Sequence, residues 1–213
     1  MAKLAEIRTF FRETRQTFRT TGAVLPSSRF LAYKIADRIE KMPAPRRILE
    51  AGPGTGAVTR VLIQRLGPTD RLTMVELNER FVDSLQAKLD HDPKWSPRRD
   101  QVELIHGAVE NIPAERKFHA VVCGLPFNNF EPELVDQLLG KLLAHLEPGG
   151  HLSFFEYLAI RHLKAPFVSA RERARLKAVA KVMHGYQNKF EVGLNRIALN
   201  VPPAVVHHLR VPG

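Results

Sequence analysis

Cysteine, tryptophan and tyrosine are scarce in this 213-residue sequence, at one, one and three residues. A lone thiol closes no intrachain disulfide, so a reducing compartment is expected. Cys123 lies in the apolar run 120–123, where a buried structural thiol is the plainer reading than a nucleophile. No apolar stretch approaches the roughly 20 residues that span a bilayer, and the N-terminus lacks the uninterrupted apolar segment of a secretory signal. A cytoplasmic chain, soluble or peripheral to a membrane face, is expected. No G-K-[ST] follows a glycine-rich turn, which excludes phosphate-loop NTPases. The histidines are scattered, and His207-His208 with one cysteine form no metal site, so no metal is expected. Acidic residues are also in the minority, 22 against 32 Lys and Arg, for a net charge of +10.

What is present describes a globular domain: 44% of residues are hydrophobic and 25% charged, enough apolar material for a sizeable core. The positive excess lies at the two ends. Residues 1–47 carry +7, residues 48–157 carry −5 and residues 158–213 carry +8. Two basic ends around an acidic middle fit contact with an anionic surface, and they equally fit a solvated exterior.

The middle of the chain alternates strand-like and helix-like segments. Strands are expected at 47–51, 72–76, 102–105, 120–123 and 151–157, with helices at 57–66, 79–89 and 132–146. Glu147-Pro148-Gly149-Gly150 is a stop-and-turn signal before the fifth strand. A further helix is expected over 169–182, then β-like runs at 186–192, 197–201 and 205–211. The order implies an α/β fold, a parallel sheet covered by helices on both faces and finished by an antiparallel hairpin. Residues 1–45 read as one or two helices appended to a domain over 46–213.

Residues 50–56 spell Glu-Ala-Gly-Pro-Gly-Thr-Gly directly after an apolar strand and before a helix. Such glycines allow a tight turn and close approach of backbone to a ligand. Glu76 ends the next strand, where a carboxylate can accept both ribose hydroxyls of an adenosine cofactor. A dinucleotide turn places its third glycine one residue later, and Glu50 would repel a pyrophosphate while suiting an ammonium group. These features favour S-adenosyl-L-methionine over NAD.

Glu50 to Gly56, Glu76 and the strand order resemble the class I S-adenosylmethionine-dependent methyltransferases over residues 46–157. The resemblance implies a Rossmann-like, mostly parallel seven-stranded sheet, with S-adenosyl-L-homocysteine as product. It assigns Glu50, Gly52, Pro53, Gly54, Thr55 and Gly56 to the methionine and ribose portion, and Glu76 with Leu77 to the ribose. Gly107, Ala108 and Val109 border the adenine, and Gly124 with Leu125 close the site. Ala108 stands where many relatives carry Asp, and Glu110 is the candidate to replace that carboxylate.

The acceptor is read from the segment Gly124-Leu125-Pro126-Phe127-Asn128-Asn129-Phe130, where this family keeps a substrate-facing loop. Methyltransferases of exocyclic base amines lead this loop with Asn or Asp, which accepts a hydrogen bond from the amine; here the position is Gly124. Phe127 either faces a developing ammonium or packs in the interior. On a helical wheel over residues 3–19, Leu4, Ile7, Phe10, Phe11 and Phe18 share an arc of about 120°, and Arg8, Arg12, Arg15 and Arg19 occupy the adjoining one. That pattern suits an amphipathic helix in an anionic membrane interface, or one docked on the domain.

The 124–130 loop, the segment Thr21-Gly22-Ala23-Val24-Leu25-Pro26-Ser27-Ser28 and the segment Asn200-Val201-Pro202-Pro203-Ala204 together resemble bacterial phospholipid N-methyltransferases. This resemblance implies methylation of phosphatidylethanolamine and its mono- and dimethyl forms towards phosphatidylcholine at a membrane surface. Tyr157, Glu156 and Phe127 are then the catalytic candidates. Arg8, Phe11, Arg12, Arg15, Phe18, Arg19 and Arg161 are candidates for membrane and lipid contact, with the basic run Arg171, Arg173, Arg175, Lys177 and Lys181 as further phosphate ligands. The alternative is an enzyme like the rRNA adenine N6-dimethyltransferases, against which Gly124 and the lack of a Gln-Asn-Phe sequence near the N-terminus argue; nucleic acid is accordingly not the expected partner.

Overall fold

The computed structural model describes residues 29–157, 169–198, 200 and 203–213. Seven strands form one sheet: β1 Arg47–Ala51, β2 Arg71–Glu76, β3 Val102–His106, β4 Phe118–Cys123, β5 Leu146–Tyr157, β6 Glu191–Ile197 and β7 Ala204–Arg210. Their spatial order is β3-β2-β1-β4-β5-β7-β6. The first five run parallel, and β7 is antiparallel to both β5 and β6. The mostly parallel sheet with an antiparallel C-terminal hairpin matches the architecture expected from the sequence.

Helices cover both faces, which is why β1 and β2 are buried beyond their first residue. On one face lie α1 (Arg29–Ile35), α2 (Thr59–Arg65) and α3 (Glu79–His91), whose Leu31, Ile35, Leu62 and Leu85 share a core with Ile48, Met74, Trp95 and Val206. On the other lie α4 (Pro132–Ala144) and α5 (Ala170–Phe190), whose Leu139, Leu142, Val179 and Met183 pack with Leu49, Val121 and Phe154. Truncating one of these fully buried leucines to alanine costs about 2–5 kcal/mol.

Four expectations change. Residues 29–41 are part of the packed domain: Leu31, Ala32, Ile35, Ala36 and Ile39 are buried in the same core as β1, and Arg46 donates to the Ile39 carbonyl (2.9 Å) and to Asp70 (2.9 Å). Residues 1–28 of the segment expected as an appendage lie outside the described residues. Second, α5 continues to Phe190, through residues 186–190 expected as strand. Val179, Met183, Tyr186 and Phe190 recur at helical spacing and all meet the α4 face, so tertiary packing overrides their β propensity. Third, the strand expected over 197–201 is instead Glu191–Ile197, displaced by the longer helix. Finally, β5 starts at Leu146, ahead of the turn signal, and Gly149 adopts φ 75° within it. Among the described residues no helix is long and apolar enough to cross a membrane.

Candidate active site

The carboxyl ends of β1, β2, β3 and β4 open onto a narrow cavity, walled from the side by α4. Its lining is Gly52, Val75, Glu76, Leu77, Gly107, Ala108, Val109, Glu110, Leu125, Leu134 and Leu138. A parallel sheet places ligands in this crevice, because the loops leaving adjacent strands part there. Seven of the residues assigned to the cofactor line it: Gly52, Glu76, Leu77, Gly107, Ala108, Val109 and Leu125. Glu50, Pro53, Gly54, Thr55, Gly56 and Gly124 are not among its lining residues.

The glycine turn is built by close contact. Gly52 has φ 71°, and a Cβ there would meet the Leu125 side chain at 2.5 Å. A Cβ on Gly124 would lie 2.5 Å from the Gly52 carbonyl oxygen, and the Gly124 N–H donates to the Ala51 carbonyl (2.8 Å). The turns after β1 and β4 therefore touch backbone to backbone, which only glycine at both positions permits. Behind the turn, Trp95 occupies the space beside Gly56, and Lys88 from α3 reaches over the Trp95 ring (5.6 Å) to donate to the Thr55 carbonyl (2.7 Å).

Glu76 is held ready at the floor. Its two carboxylate oxygens accept from the Gly54 N–H (3.0 Å) and the Asn78 N–H (2.8 Å), leaving further lone pairs towards the cavity. Burial raises its pKa, and the backbone donors oppose that rise. Glu50 behaves differently. Strand alternation turns its side chain with Ile48 towards α2, where Thr59 Oγ1 donates to it at 2.7 Å. Burial, opposed by the Thr59 hydrogen bond and aided by the Glu76 charge, pushes its pKa up to about 8. Bonded to Thr59 beneath the turn and absent from the cavity lining, Glu50 supports the turn rather than presenting its carboxyl to the cavity.

At the adenine end, Asn111 Oδ1 accepts from the Ala108 N–H (2.7 Å) and fixes the turn after β3. Glu110 lines the cavity, with Oε1 3.4 Å from Lys141 Nζ and Oε2 buried without a hydrogen-bond partner. The apolar walls, the Glu76 carboxylate held by two backbone N–H groups and the unpartnered Glu110 oxygen fit an adenosine-bearing cofactor.

The three catalytic candidates are not brought together. Phe127 is 1% exposed, edge-on to Phe154 at 5.5 Å, so its ring is an interior contact rather than a cavity wall. Glu156 and Tyr157 are successive residues of β5 and point to opposite faces. Glu156 meets Gln187 (3.1 Å) and His207 (3.4 Å) on the α5 side, whereas Tyr157 packs against Phe155 (5.1 Å) in the core under α1. Arg175, expected among the phosphate ligands, donates instead to the carbonyls of Asn128 and Phe130 and pairs with Glu172, pinning the 127–130 loop. Arg171, Lys177 and Lys181 are exposed on α5. Arg8, Phe11, Arg12, Arg15, Phe18, Arg19 and Arg161 lie outside the described residues. His207 contacts Glu191 and Glu156, while His208 bonds Ser153 and Asn195.

Sequence reasoning passed over Trp95, Lys88, Asn111, Leu134 and Leu138. Trp95 carried a signal, as an isolated large aromatic within a charged stretch, and Asn111 acts locally on the Ala108 N–H; Lys88, Leu134 and Leu138 act through contacts distant in sequence.

Residues 48–150 match the methyltransferase domain family. Ribosomal RNA small subunit methyltransferase A of Parasynechococcus marenigrum (strain WH8102) is 36% identical over 102 residues, 48% of this chain and 32% of that protein. Malonyl-[acyl-carrier protein] O-methyltransferase of Priestia megaterium is 29% identical over 107 residues, 50% of this chain and 35% of that protein. The matched segment thus spans about a third of these relatives. In three dimensions the fold resembles the O-methyltransferase from Bacillus cereus solved with SAH, at TM-score 0.66, 14% identity and coverage of 95% of this chain and 90% of that one. It also resembles a glycopeptide N-methyltransferase complexed with sinefungin, at TM-score 0.65, 16% identity and 89% coverage of each. With the glycine turn, the Glu76 carboxylate and the β3-β2-β1-β4-β5-β7-β6 sheet, the chain has a Rossmann-like methyltransferase fold whose residues 48–150 match the methyltransferase domain.

Proposed function

We propose that the protein is a phospholipid N-methyltransferase that acts at an anionic membrane face, converting phosphatidylethanolamine and its mono- and dimethyl forms towards phosphatidylcholine. The supporting observation is the contact between Gly124 and the Gly52 carbonyl. A base amine is conjugated, and an acceptor side chain at the loop's leading position helps to localise its lone pair. Position 124 has no room for that side chain. An aliphatic amine carries a localised lone pair once deprotonated, and needs only alignment.

S-adenosylmethionine, when bound, supplies an electrophilic methyl group. Glu76 holds the ribose, the 52–56 turn sets the depth of the site and Leu125 shields it from water. Arg175 fixes the loop that borders the acceptor. Alignment of this kind is worth up to about 7–11 kcal/mol, so no strong dedicated base is required. Tyr157 ends β5, two strands along from the glycine turn, and orients the acceptor amine in this proposal. Glu156 acts from the opposite face through His207, as a support. Exposed Phe30 and Tyr33, beside Arg29 and Lys34 on α1, continue the mixture of aromatic and basic residues that the sequence shows over 3–19. That mixture suits the interface of an acidic bilayer, where each basic residue adds about 1 kcal/mol.

An RNA acceptor is the second reading, favoured by the 36% identity to a ribosomal RNA methyltransferase. One experiment separates them: transfer of labelled methyl groups from S-adenosylmethionine to vesicles of phosphatidylethanolamine with an anionic lipid, and in parallel to ribosomal RNA. Label in the headgroup is expected. Label confined to RNA, with salt-dependent binding, would replace the lipid proposal.

A further inference from the structure

Helix α3 meets the glycine turn at both of its ends. At its start, Asn78 caps the helix and donates its own N–H to Glu76 Oε1 (2.8 Å), while Glu76 Oε2 accepts from the Gly54 N–H (3.0 Å). In its last turn, Lys88 reaches back to donate to the Thr55 carbonyl (2.7 Å). Trp95, the one tryptophan of the sequence, is buried beside both. The Lys88 ammonium lies 5.6 Å from the centre of its ring, and a Cβ on Gly56 would come within 2.6 Å of Trp95 Cη2. The Thr55–Gly56 peptide is thus held by a charged donor on its carbonyl and an aromatic ring against its glycine. Such a clamp has work to do, because glycine loses more backbone freedom on ordering than any other residue, and Gly54 and Gly56 flank Thr55 with φ of 56° and 81°.

We infer that Lys88, laid across Trp95, is a positioning residue for cofactor binding: its bond to the Thr55 carbonyl sets the glycine turn in its ligand-binding shape before the ligand arrives. Lys88 itself is not among the residues that line the cavity, so it acts through the turn. Without the ammonium the peptides on either side of Thr55 regain rotational freedom. The Gly54 N–H then leaves Glu76, and the carboxylate loses one of the two backbone donors that orient it. Ordering the turn falls to the ligand, and its cost is subtracted from the affinity. This support acts on the cofactor side of the cavity and is the same whichever acceptor receives the methyl group.

Titration calorimetry with S-adenosylhomocysteine tests this without turnover and without the charge of a sulfonium. Lys88→Met keeps an apolar stem on Trp95 and removes the donor; affinity should fall about 3- to 10-fold, less than a fully buried hydrogen bond to a charged group would give, because Lys88 is only partly buried. Lys88→Arg restores a charged donor over the ring and should recover most of the loss. Lys94→Met removes the same charge from an exposed position nearby and should bind as the wild type does. Trp95 supplies a second readout, since tryptophan emission comes from it alone. In the wild type, where the turn is already set, saturation with S-adenosylhomocysteine should barely move that emission; in Lys88→Met it should shift on binding. Affinity of a folded Lys88→Met within about twofold of wild type would overturn the inference, as would a Lys88→Arg protein no tighter than Lys88→Met. A marked shift in the wild-type emission would show that the ligand, and not Lys88, sets the turn, and would overturn it even were no variant to fold.

Discussion

The carbonyl oxygen of Gly52 lies 2.5 Å from the place a Cβ would take on Gly124, so the turns leaving β1 and β4 are in backbone contact. That contact joins the cofactor turn to the acceptor loop and removes the side chain with which a base methyltransferase would hold its amine. Gly124→Ala should separate the two turns, weakening S-adenosylmethionine binding by about tenfold or more and lowering stability by about 1–3 kcal/mol, as overpacking does. Gly124→Asn should lose more and gain no activity on RNA. Calorimetry, thermal melts and the labelled-RNA assay check these outcomes; wild-type affinity in Gly124→Ala would show that the turns have slack.

Arg175 is expected to act through the loop it holds. Replacing it with Met frees the Asn128 and Phe130 carbonyls from their shared guanidinium. Loss of these bonds should cost about 1.5–3 kcal/mol of stability. Turnover should drop about tenfold with cofactor affinity nearly constant, because Arg175 does not line the cavity. A Kd that rises in step with the loss of kcat would place Arg175 in cofactor binding instead.

Tyr157→Phe removes one hydroxyl and keeps the ring packed on Phe155. Turnover on phosphatidylethanolamine vesicles should fall about tenfold or more, the scale of a positioned proton-handling group, with the affinity for S-adenosylhomocysteine unchanged. An unaltered rate would take Tyr157 out of the mechanism.

The Glu50 carboxyl carries a pH signature. Its pKa is 4.5 ordinarily and about 8 in the fold, where burial dominates. Between those values the folded protein keeps a proton that the unfolded chain has released. The stabilisation is complete below about 4.5, declines as pH rises and is lost through about 8. At about 1.4 kcal/mol per unit, the full swing is a few kcal/mol. Glu50→Gln keeps an acceptor for Thr59 and cannot ionise. The difference between the wild-type and Glu50→Gln melting profiles should therefore shift in favour of the variant from pH 5 to pH 9; parallel profiles would mean that Glu50 is ionised throughout.

The site was legible where its logic is local. The sequence around Glu50 to Gly56 states a strand, a turn that needs left-handed residues and a helix within a short window, and Glu76 follows at the end of the next strand. Strand alternation also sends Glu50 away from the ligand, a consequence readable from its spacing to Ile48. Glu156 and Tyr157 could have been separated by the same rule, since neighbours on a strand never share a face.

Sequence by itself determined the class of fold and the glycine turn, because short-range periodicity and turn chemistry encode them. Tertiary structure alone decided the rest. The long α5 arises because Tyr186 and Phe190 find the α4 face, and Phe127 is interior because Phe154 meets it across the loop. Position 124 is closed by a carbonyl 72 residues earlier in the chain, and Glu110 acquires its unpartnered oxygen from walls supplied by α4. Each depends on a distance between residues far apart in sequence, which no local pattern of residue types records.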